Sequence, residues 1–226
     1  MNRMFRNVVY TLVCIVMFSV AGFAQVNATK PAATPEPKKM NERPSEAPPV
    51  EPFDKADVKT MASKCVLLDT EAGVIEMEMF PESAPESVRN FLNLVATGAL
   101  DTTTFSRVVP GFVIQGGNIW TRTGDVTREL GQRARRTLPD EPSKILHERG
   151  IVSMARGDEP NTATTNFFIL VDTASYLDGK FAAFGRVTRG MEIVDSINRV
   201  SVTDEKPEKP VRIKKASVQV CSPVQN

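Results

Sequence analysis

Short apolar segments separated by turn residues fill the chain from residue 63 to residue 222, and they constrain its fold more than any other feature. Residues 74–80, for example, alternate apolar and polar side chains, as a strand with one buried face does. Only two segments have the periodicity of an amphipathic helix. Many strands and few helices predict a mainly β fold, an antiparallel barrel with helices covering its ends.

The turn and capping residues set the bounds of these elements. The first helix is predicted to begin at a capping box formed by Ser83 and Glu86 and to end at Gly98. The second helix is predicted over residues 191–198, where Met191, Val194 and Ile197 are apolar. The predicted strands cover residues 64–69, 74–80, 104–109, 112–115, 150–154, 167–171, 182–187 and 215–221.

The first 24 residues have the three parts of a secretory signal peptide. Arg3 and Arg6 precede an apolar stretch at residues 8–20, and Gly22 and Ala24 place small residues at positions −3 and −1 of a cleavage site after Ala24. The apolar stretch is shorter than the roughly 20 residues of a membrane-spanning helix. We therefore predict a signal peptide at residues 1–24 and an exported mature protein, periplasmic or secreted, that does not span a membrane. The alternative is an uncleaved N-terminus that tethers the protein to a membrane.

The segment that follows is rich in proline and poor in large apolar residues. Seven of the 16 prolines of the chain fall within residues 25–62. Such a composition buries too little apolar surface to offset the entropy cost of ordering the chain. We expect a disordered proline-rich tether at residues 25–62, a folded domain at residues 63–222 and a short tail at residues 223–226.

Charge and residue types exclude several classes of function. The formal net charge is +1, and it becomes −1 when Arg3 and Arg6 leave with the signal peptide. The protein therefore has no large positive electrostatic field with which to bind nucleic acid. Histidines and cysteines show no metal-ligand spacing, and no glycine-rich phosphate loop is present. The single histidine, His147, lies in a polar stretch, and the sequence contains no Gly-x-Ser-x-Gly motif that would supply the nucleophile of a Ser-His-Asp site. We predict neither a metal nor a cofactor.

The densest candidate site lies in residues 105–118. Arg107 belongs to one predicted strand, and Val113 and Gln115 share a face of the next strand. Pro110 and Gly111 predict the turn between the two strands. This hairpin brings one arginine and one glutamine close to apolar side chains. The alternative interpretation is a surface arginine and a strand-end glutamine, which composition alone does not reject.

Three blocks of the sequence resemble the cyclophilins. They are residues 105–118, residues 150–169 and residues 176–187, and the resemblance extends in family order over about residues 65–220. It implies a closed eight-stranded antiparallel β-barrel capped by two α-helices, peptidyl-prolyl cis/trans isomerase activity and no cofactor. The implied partners are proline-containing polypeptides, and we expect a monomer. A peptide-binding chaperone with little turnover and a structural envelope protein are the alternatives.

The resemblance also assigns roles to residues. Arg107 matches the catalytic arginine of the family. Asn166 stands where glutamine is usual, Tyr176 where tryptophan is frequent and Phe181 where histidine is frequent, so the substrate preference stays open. The residues that match the peptide-binding positions are Phe112, Val113, Gln115, Ala155, Arg156, Asn166, Phe167, Tyr176, Leu177 and Phe181.

Export would leave two cysteines, Cys65 and Cys221, near the two ends of the folded domain. In an oxidising compartment they fit either a disulfide or a pair of buried thiols. If the family barrel applies, the first and last strands pair and bring the two residues side by side. A shift of one residue in register decides whether their side chains share a face. The sequence leaves both possibilities open.

Overall fold

The computed structural model of the protein describes residues 49–221. The predicted signal peptide at residues 1–24, most of the predicted tether and the tail at residues 223–226 lie outside the described residues.

Eight antiparallel strands form the main sheet, and each corresponds to a strand predicted from the sequence. They are ordered β10-β1-β2-β7-β5-β6-β4-β3. Two short strands, β8 and β9, pair only with each other. The strands are β1 (Lys64–Thr70), β2 (Gly73–Met79), β3 (Arg107–Val109), β4 (Val113–Gly116), β5 (Ile151–Met154), β6 (Phe167–Leu170), β7 (Ala183–Arg189), β8 (Val202–Thr203), β9 (Lys206–Pro207) and β10 (Ile213–Val220).

The predicted closure of the barrel is wrong, because the sheet is an open half-barrel. Its edge strands, β3 and β10, are not paired with each other. The chain before β3 contacts residues 211–213 through an isolated bridge of Thr104 with Arg212 and through three backbone hydrogen bonds. The Thr102 N–H donates to the Ile213 carbonyl and the Ile213 N–H to the Thr103 carbonyl, each at 2.8 Å, and the Phe105 N–H donates to the Val211 carbonyl at 2.9 Å. Thr102 has φ 61°, in the left-handed region, so this chain does not run extended along β10.

Four α-helices accompany the sheet in residues 49–221. The two predicted helices are α2 (Pro85–Ala96) and α4 (Met191–Asn198). Two short helices escaped prediction, α1 (Val58–Ala62) and α3 (Arg128–Arg133). They have five and six residues, too few for a hydrophobic period to repeat.

The predicted capping box of α2 is wrong. The residue before the helix is Ala84, which has no capping side chain. The backbone N–H groups of Glu86 and Ser87 instead donate to the Glu141 carboxylate at 2.9 Å and 2.7 Å. A carboxylate at a helix N-terminus satisfies free amides and complements the helix dipole. Glu141 is 54 residues from Ser87, so no local pattern in the sequence indicates this cap.

The sheet buries apolar side chains on both faces. On one face the main core packs against α2 and α4, with the ring centroids of Phe91 and Phe184 5.0 Å apart. On the opposite face a smaller apolar cluster lies under the loops around residues 145 and 174–181. Its buried members are Val113, Ile151, Phe168, Leu170, Ala174, Leu177 and Ala183.

The packed domain begins earlier than residue 63. The Phe53 N–H donates to the Asn93 side-chain oxygen at 2.7 Å, and Arg89 donates to the Ala56 carbonyl at 2.8 Å. Met61 is fully buried in the main core. These residues were predicted to belong to the tether because residues 25–62 contain few large apolar side chains and show no repeating apolar pattern.

A disulfide joins Cys65, in β1, to Cys221, the residue after β10. In the ladder Lys64 lies opposite Val220, and the Cys221 N–H donates to the Ser63 carbonyl. This register puts both cysteines on the same face of the sheet. Their Cα atoms are 4.9 Å apart, within the usual range for a disulfide.

We expect the double variant Cys65→Ser, Cys221→Ser to unfold at a lower denaturant concentration than the parent. The bridge spans 156 residues of sequence, so its loss frees a long loop in the unfolded chain. The expected loss in the free energy of unfolding is about 2–4 kcal/mol. Urea denaturation of both proteins measures it. Alkylation of two thiols in folded, unreduced parent protein would contradict the bridge.

Candidate active site

A pocket of about 200 Å³ opens on the face of the sheet that carries the smaller apolar cluster. Nine of the eleven residues that the resemblance assigned to the site line it, together with one that it did not assign. The lining residues are Arg107, Phe112, Val113, Gln115, Ala155, Arg156, Phe168, Tyr176, Leu177 and Phe181.

The strand register aligns the central residues of this pocket. Arg107 on β3 lies opposite Gln115 on β4, and Gln115 lies opposite Phe168 on β6. Directly paired residues of antiparallel strands share a face. The row therefore places a cation, an amide and an aromatic ring side by side. Within it the Arg107 Nη1 donates to the Gln115 Oε1 at 3.3 Å.

The assignment of Phe167 to the pocket is off by one residue. Phe167 is fully buried in the main core, where its ring lies 5.1 Å from that of Phe91. Phe168 faces the pocket and packs edge-on against Phe181, with ring centroids 6.0 Å apart. Because the sheet is apolar on both faces here, all four residues of β6 are buried and apolar. Alternation therefore carries no information about which phenylalanine faces the pocket.

Asn166 also differs from its assignment. Its backbone carbonyl accepts a hydrogen bond from the Ala155 N–H at 3.0 Å, but its side chain is not among the groups that line the pocket. Asn166 thus joins two chain segments beside the site and leaves the pocket wall to Ala155.

Aromatic rings and a second arginine form the rim. The Phe112 and Tyr176 rings are 5.9 Å apart, and Tyr176 is 60% exposed. The Arg156 guanidinium lies over the Phe181 ring, 4.9 Å from its centroid, in a cation–π contact. Arg156 also donates to the Gly157 carbonyl, so its guanidinium is held at the rim.

A larger groove of about 600 Å³ lies near α3, and it contains none of these residues. The Glu51 carboxylate in this groove is already paired with two arginines. The Glu51 carboxylate is 2.7 Å from the Arg133 Nε and 3.6 Å from an Arg136 nitrogen. We therefore place the candidate site in the smaller pocket, where the Arg–Gln–Phe row lies.

Comparison with known families decides the class of the protein. The family model described as cyclophilin type peptidyl-prolyl cis-trans isomerase matches residues 65–218. The chain belongs to the cyclophilin family. Its activity is peptidyl-prolyl cis-trans isomerisation.

Curated cyclophilins of bacteria are similar over most of the domain. Peptidyl-prolyl cis-trans isomerase A of Dickeya dadantii is 37% identical over 163 residues, which cover 68% of this chain and 83% of that protein. A peptidyl-prolyl cis-trans isomerase of Acinetobacter baylyi is 35% identical over 173 residues, or 72% of this chain and 88% of the relative.

A solved cyclophilin has a similar fold. The crystal structure of a Cryptosporidium parvum cyclophilin type peptidyl-prolyl cis-trans isomerase, determined in the presence of the dipeptide Ala-Pro, matches with a TM-score of 0.60. The two chains are 28% identical, and the match covers 70% of this chain and 99% of the other.

Asn198 of α4 supports the pocket from behind, and no pattern in the sequence indicates this role. The Gly111 N–H donates to the Asn198 Oδ1 at 2.8 Å. The Asn198 Nδ2 donates to the carbonyls of Val109 and Val113 at 2.9 Å and 3.0 Å. One buried amide thus satisfies three backbone groups of the β3–β4 hairpin, which carries Arg107.

The single histidine lies inside the cyclophilin domain, not on its surface. His147 is fully buried; its Nδ1 is 3.0 Å from an Asp178 oxygen and its Nε2 is 3.0 Å from the Ser153 Oγ. Ser153 is also fully buried, so this Ser-His-Asp set cannot reach a substrate as a hydrolase triad does. It joins β5 to the turn that carries Leu177.

A hydrogen bond from the His147 backbone N–H, 2.7 Å long, lowers the pKa of Asp178 below its ordinary value. The contact with the His147 side chain acts in the same direction, and partial desolvation opposes both. The ionised carboxylate is therefore the form that holds this turn of the cyclophilin domain.

Residues 49–221 contain neither a candidate membrane span nor a candidate metal site. No helix there has the length and apolar content to cross a membrane. No three histidine, cysteine or acidic side chains within this range are grouped to hold a metal ion.

We expect Asn198→Ala to lower kcat/KM about tenfold, because the hairpin that carries Arg107 loses its three hydrogen bonds. Each buried backbone group left without a partner costs about 1–3 kcal/mol, so the variant should also be less stable. An isomerase assay below the unfolding transition separates the two effects. Asn198→Asp is the control, because it keeps the acceptor for Gly111 and loses both donors. Full activity of Asn198→Ala would contradict this support role.

We expect Asp178→Asn to lower stability most at neutral pH. Because folding lowers the Asp178 pKa, the ionised carboxylate stabilises the fold above the unfolded value of about 3.9, and this contribution disappears as pH falls through the folded value. The difference in unfolding free energy between parent and variant should therefore shrink below pH 4. Urea titrations at pH 7, 5 and 3 measure it, with the exposed Asp125→Asn as control. A difference that is constant with pH would refute the assignment.

Proposed function

We propose that this protein accelerates rotation about X-Pro bonds in exported polypeptides and so assists their folding, after removal of a signal peptide at residues 1–24. The observation that carries the catalytic part is the position of Arg107. Its guanidinium lies beside Gln115 at the open side of an apolar pocket. A fixed hydrogen-bond donor beside a site for a proline ring is what this reaction requires.

The barrier comes from delocalisation of the amide nitrogen lone pair. It amounts to about 18–20 kcal/mol, and X-Pro bonds exchange over roughly tens to hundreds of seconds. In the twisted transition state the prolyl nitrogen regains its lone pair and accepts hydrogen bonds well. A donor placed at that nitrogen stabilises the transition state more than the planar ground state, and this difference is catalysis.

Arg107 is arranged to supply this donor. Its Nε and Nη1 hydrogen-bond to neighbouring side chains, whereas its Nη2 has no acceptor within residues 49–221. The Nη2 is therefore available to a prolyl nitrogen. Because a guanidinium stays protonated throughout the physiological pH range, the donor needs no partner to activate it.

The apolar walls orient the ring and exclude water. Val113, Phe168 and Leu177 are 1%, 6% and 7% exposed, so the floor of the pocket is set by packing. Phe112 and Tyr176 would cover the ring at the rim. The Gln115 Oε1 accepts from Arg107, which leaves its amide Nε2 to donate to a substrate carbonyl. The Ala-Pro dipeptide present with the Cryptosporidium relative supports a proline-containing substrate.

Two features support export. The N-terminus has a basic region, an apolar stretch and small residues at the expected cleavage position. The Cys65–Cys221 disulfide is of a kind that persists in oxidising compartments outside the cytosol.

Mass spectrometry of the protein from cell fractions tests the proposal. A periplasmic or secreted form that begins at Gln25 is expected, and a cytosolic form with an intact N-terminus would refute it.

We expect Arg107→Ala to reduce kcat/KM about 10²–10³-fold, the usual cost of removing one preorganised donor to developing charge. The fold should remain intact, because the Arg107 side chain is 39% exposed and is not part of either core. Protease-coupled or NMR-exchange assays on a short Ala-Pro peptide measure the rate. Arg186→Ala, which removes an exposed arginine paired with Glu78, is the matched control.

Two results would overturn the proposal. One is a folded Arg107→Ala protein that keeps more than half of the parent activity. The other is a parent protein that binds the Ala-Pro peptide without accelerating its exchange, which would favour a peptide-binding chaperone. Reduced activity of both Arg107→Ala and Arg186→Ala would indicate a general effect of charge and contradict a specific donor.

A further inference from the structure

A carboxylate holds the arginine of the candidate site. The Arg107 Nε donates to the Glu205 Oε2 at 2.7 Å, while its Nη1 donates to the Gln115 Oε1. The guanidinium is thus bonded on two sides, by residues 98 positions and 8 positions away. Two bonds in the plane of a guanidinium fix both its position and its orientation.

Glu205 occupies an unfavourable backbone conformation. It and Asp204 form the two-residue turn between β8 and β9, where Thr203 pairs with Lys206. Their φ angles are 62° and 49°, in the left-handed region that glycine and asparagine favour. A glutamate there costs conformational energy. Residues held in such conformations concentrate at functional sites.

The backbone of the turn is anchored to the arginine's own strand. The Val108 N–H, on β3, donates to the Glu205 carbonyl at 2.8 Å. Val108 follows Arg107 in the chain, so the same turn contacts β3 through its backbone and Arg107 through its side chain. The carboxylate is therefore fixed relative to the strand that carries the guanidinium.

We propose that Glu205 is the positioning residue of Arg107: its carboxylate holds the guanidinium plane so that the Nη2 is presented to the prolyl nitrogen. This inference rests on the proposed function, in which Arg107 is the donor. A free arginine side chain has several rotatable bonds and populates many orientations, whereas catalysis requires one. Gln115 alone accepts a hydrogen bond from only one nitrogen of the guanidinium, and with that bond alone the guanidinium could still rotate about it.

The pair is suited to positioning and contributes little to global stability. The Arg107 and Glu205 side chains are 39% and 50% exposed. Ion pairs at such exposed sites are screened by water and have small effects on unfolding. Loss of the carboxylate is therefore expected to change activity without unfolding the protein, which makes the two readouts separable.

The decisive variant is Glu205→Gly, with Asp204→Gly as its matched control. Both substitutions relieve a positive φ in the same turn, but only the first removes the bond to Arg107. We expect Glu205→Gly to be at least as stable as the parent, with kcat about tenfold lower and KM changed less than twofold. Asp204→Gly should keep kcat within twofold of the parent. Glu205→Gln retains an acceptor oxygen and should recover most of the lost kcat.

A spectroscopic signal tests the geometry without reference to activity. The Arg107 Nε–H resonance, assigned by its loss in Arg107→Lys, should be shifted downfield and protected from exchange in the parent. The shift and the protection should persist in Asp204→Gly and disappear in Glu205→Gly. An unprotected resonance in the parent would refute the positioning role whatever the kinetics show.

The failures of the two proposals are distinguishable. If Arg107→Ala is inactive but Glu205→Gly retains full kcat, Glu205 does not position the donor and the proposed function stands. If Glu205→Gly is faster than the parent, the carboxylate restrains Arg107, which also refutes positioning. If Arg107→Ala remains active, the proposed donor itself is wrong.

Discussion

The pairing of β4 with β6 is the interaction on which the rest of the structure depends. It sets which side chains enter the main core and which enter the pocket, because neighbouring residues on each strand face opposite ways. Ile114 and Ile169 pair on the core face, and Gln115 and Phe168 pair on the pocket face. A slip of one residue would exchange these sets and bury the glutamine in the core. The same strand register therefore determines both the packing of the core and the composition of the pocket.

The pocket is held by polar contacts that come from distant parts of the chain. Asn198 fixes the β3–β4 hairpin, His147 joins β5 to the turn at Leu177, and Glu205 contacts Arg107. The open sheet explains why such contacts are needed. Strand β3 is only three residues long and lies at an edge, so a single ladder supports it. Side chains from α4 and from the β8–β9 turn supply the support that a second paired strand would give.

The eight strands of the main sheet and the two longer helices were predictable, because each has a local pattern of apolar residues and turn signals, whereas the two-residue strands β8 and β9 are too short to show one. Resemblance to the family placed nine of the lining residues. It failed at Phe167, since two consecutive phenylalanines in a strand buried on both faces look alike. It also missed the contacts of Glu141, Asn198 and Glu205, whose partners lie 54 to 98 residues away. Such contacts depend on tertiary structure and leave no local trace in the sequence.

The site is built for a reaction that moves no proton. Catalysis by rotation needs a donor that is always charged, and an arginine meets that need at any pH the folded protein tolerates. The one histidine is correspondingly remote from solvent, and its hydrogen bonds to Ser153 and Asp178 serve the scaffold. The titratable groups therefore belong to the scaffold and not to the site, which matters for a protein proposed to work outside the cytosol, where the surroundings set the pH. Acid weakens the hydrogen bonds that hold the turn at Leu177, because it protonates Asp178, and it leaves the charge of Arg107, the proposed donor, unchanged.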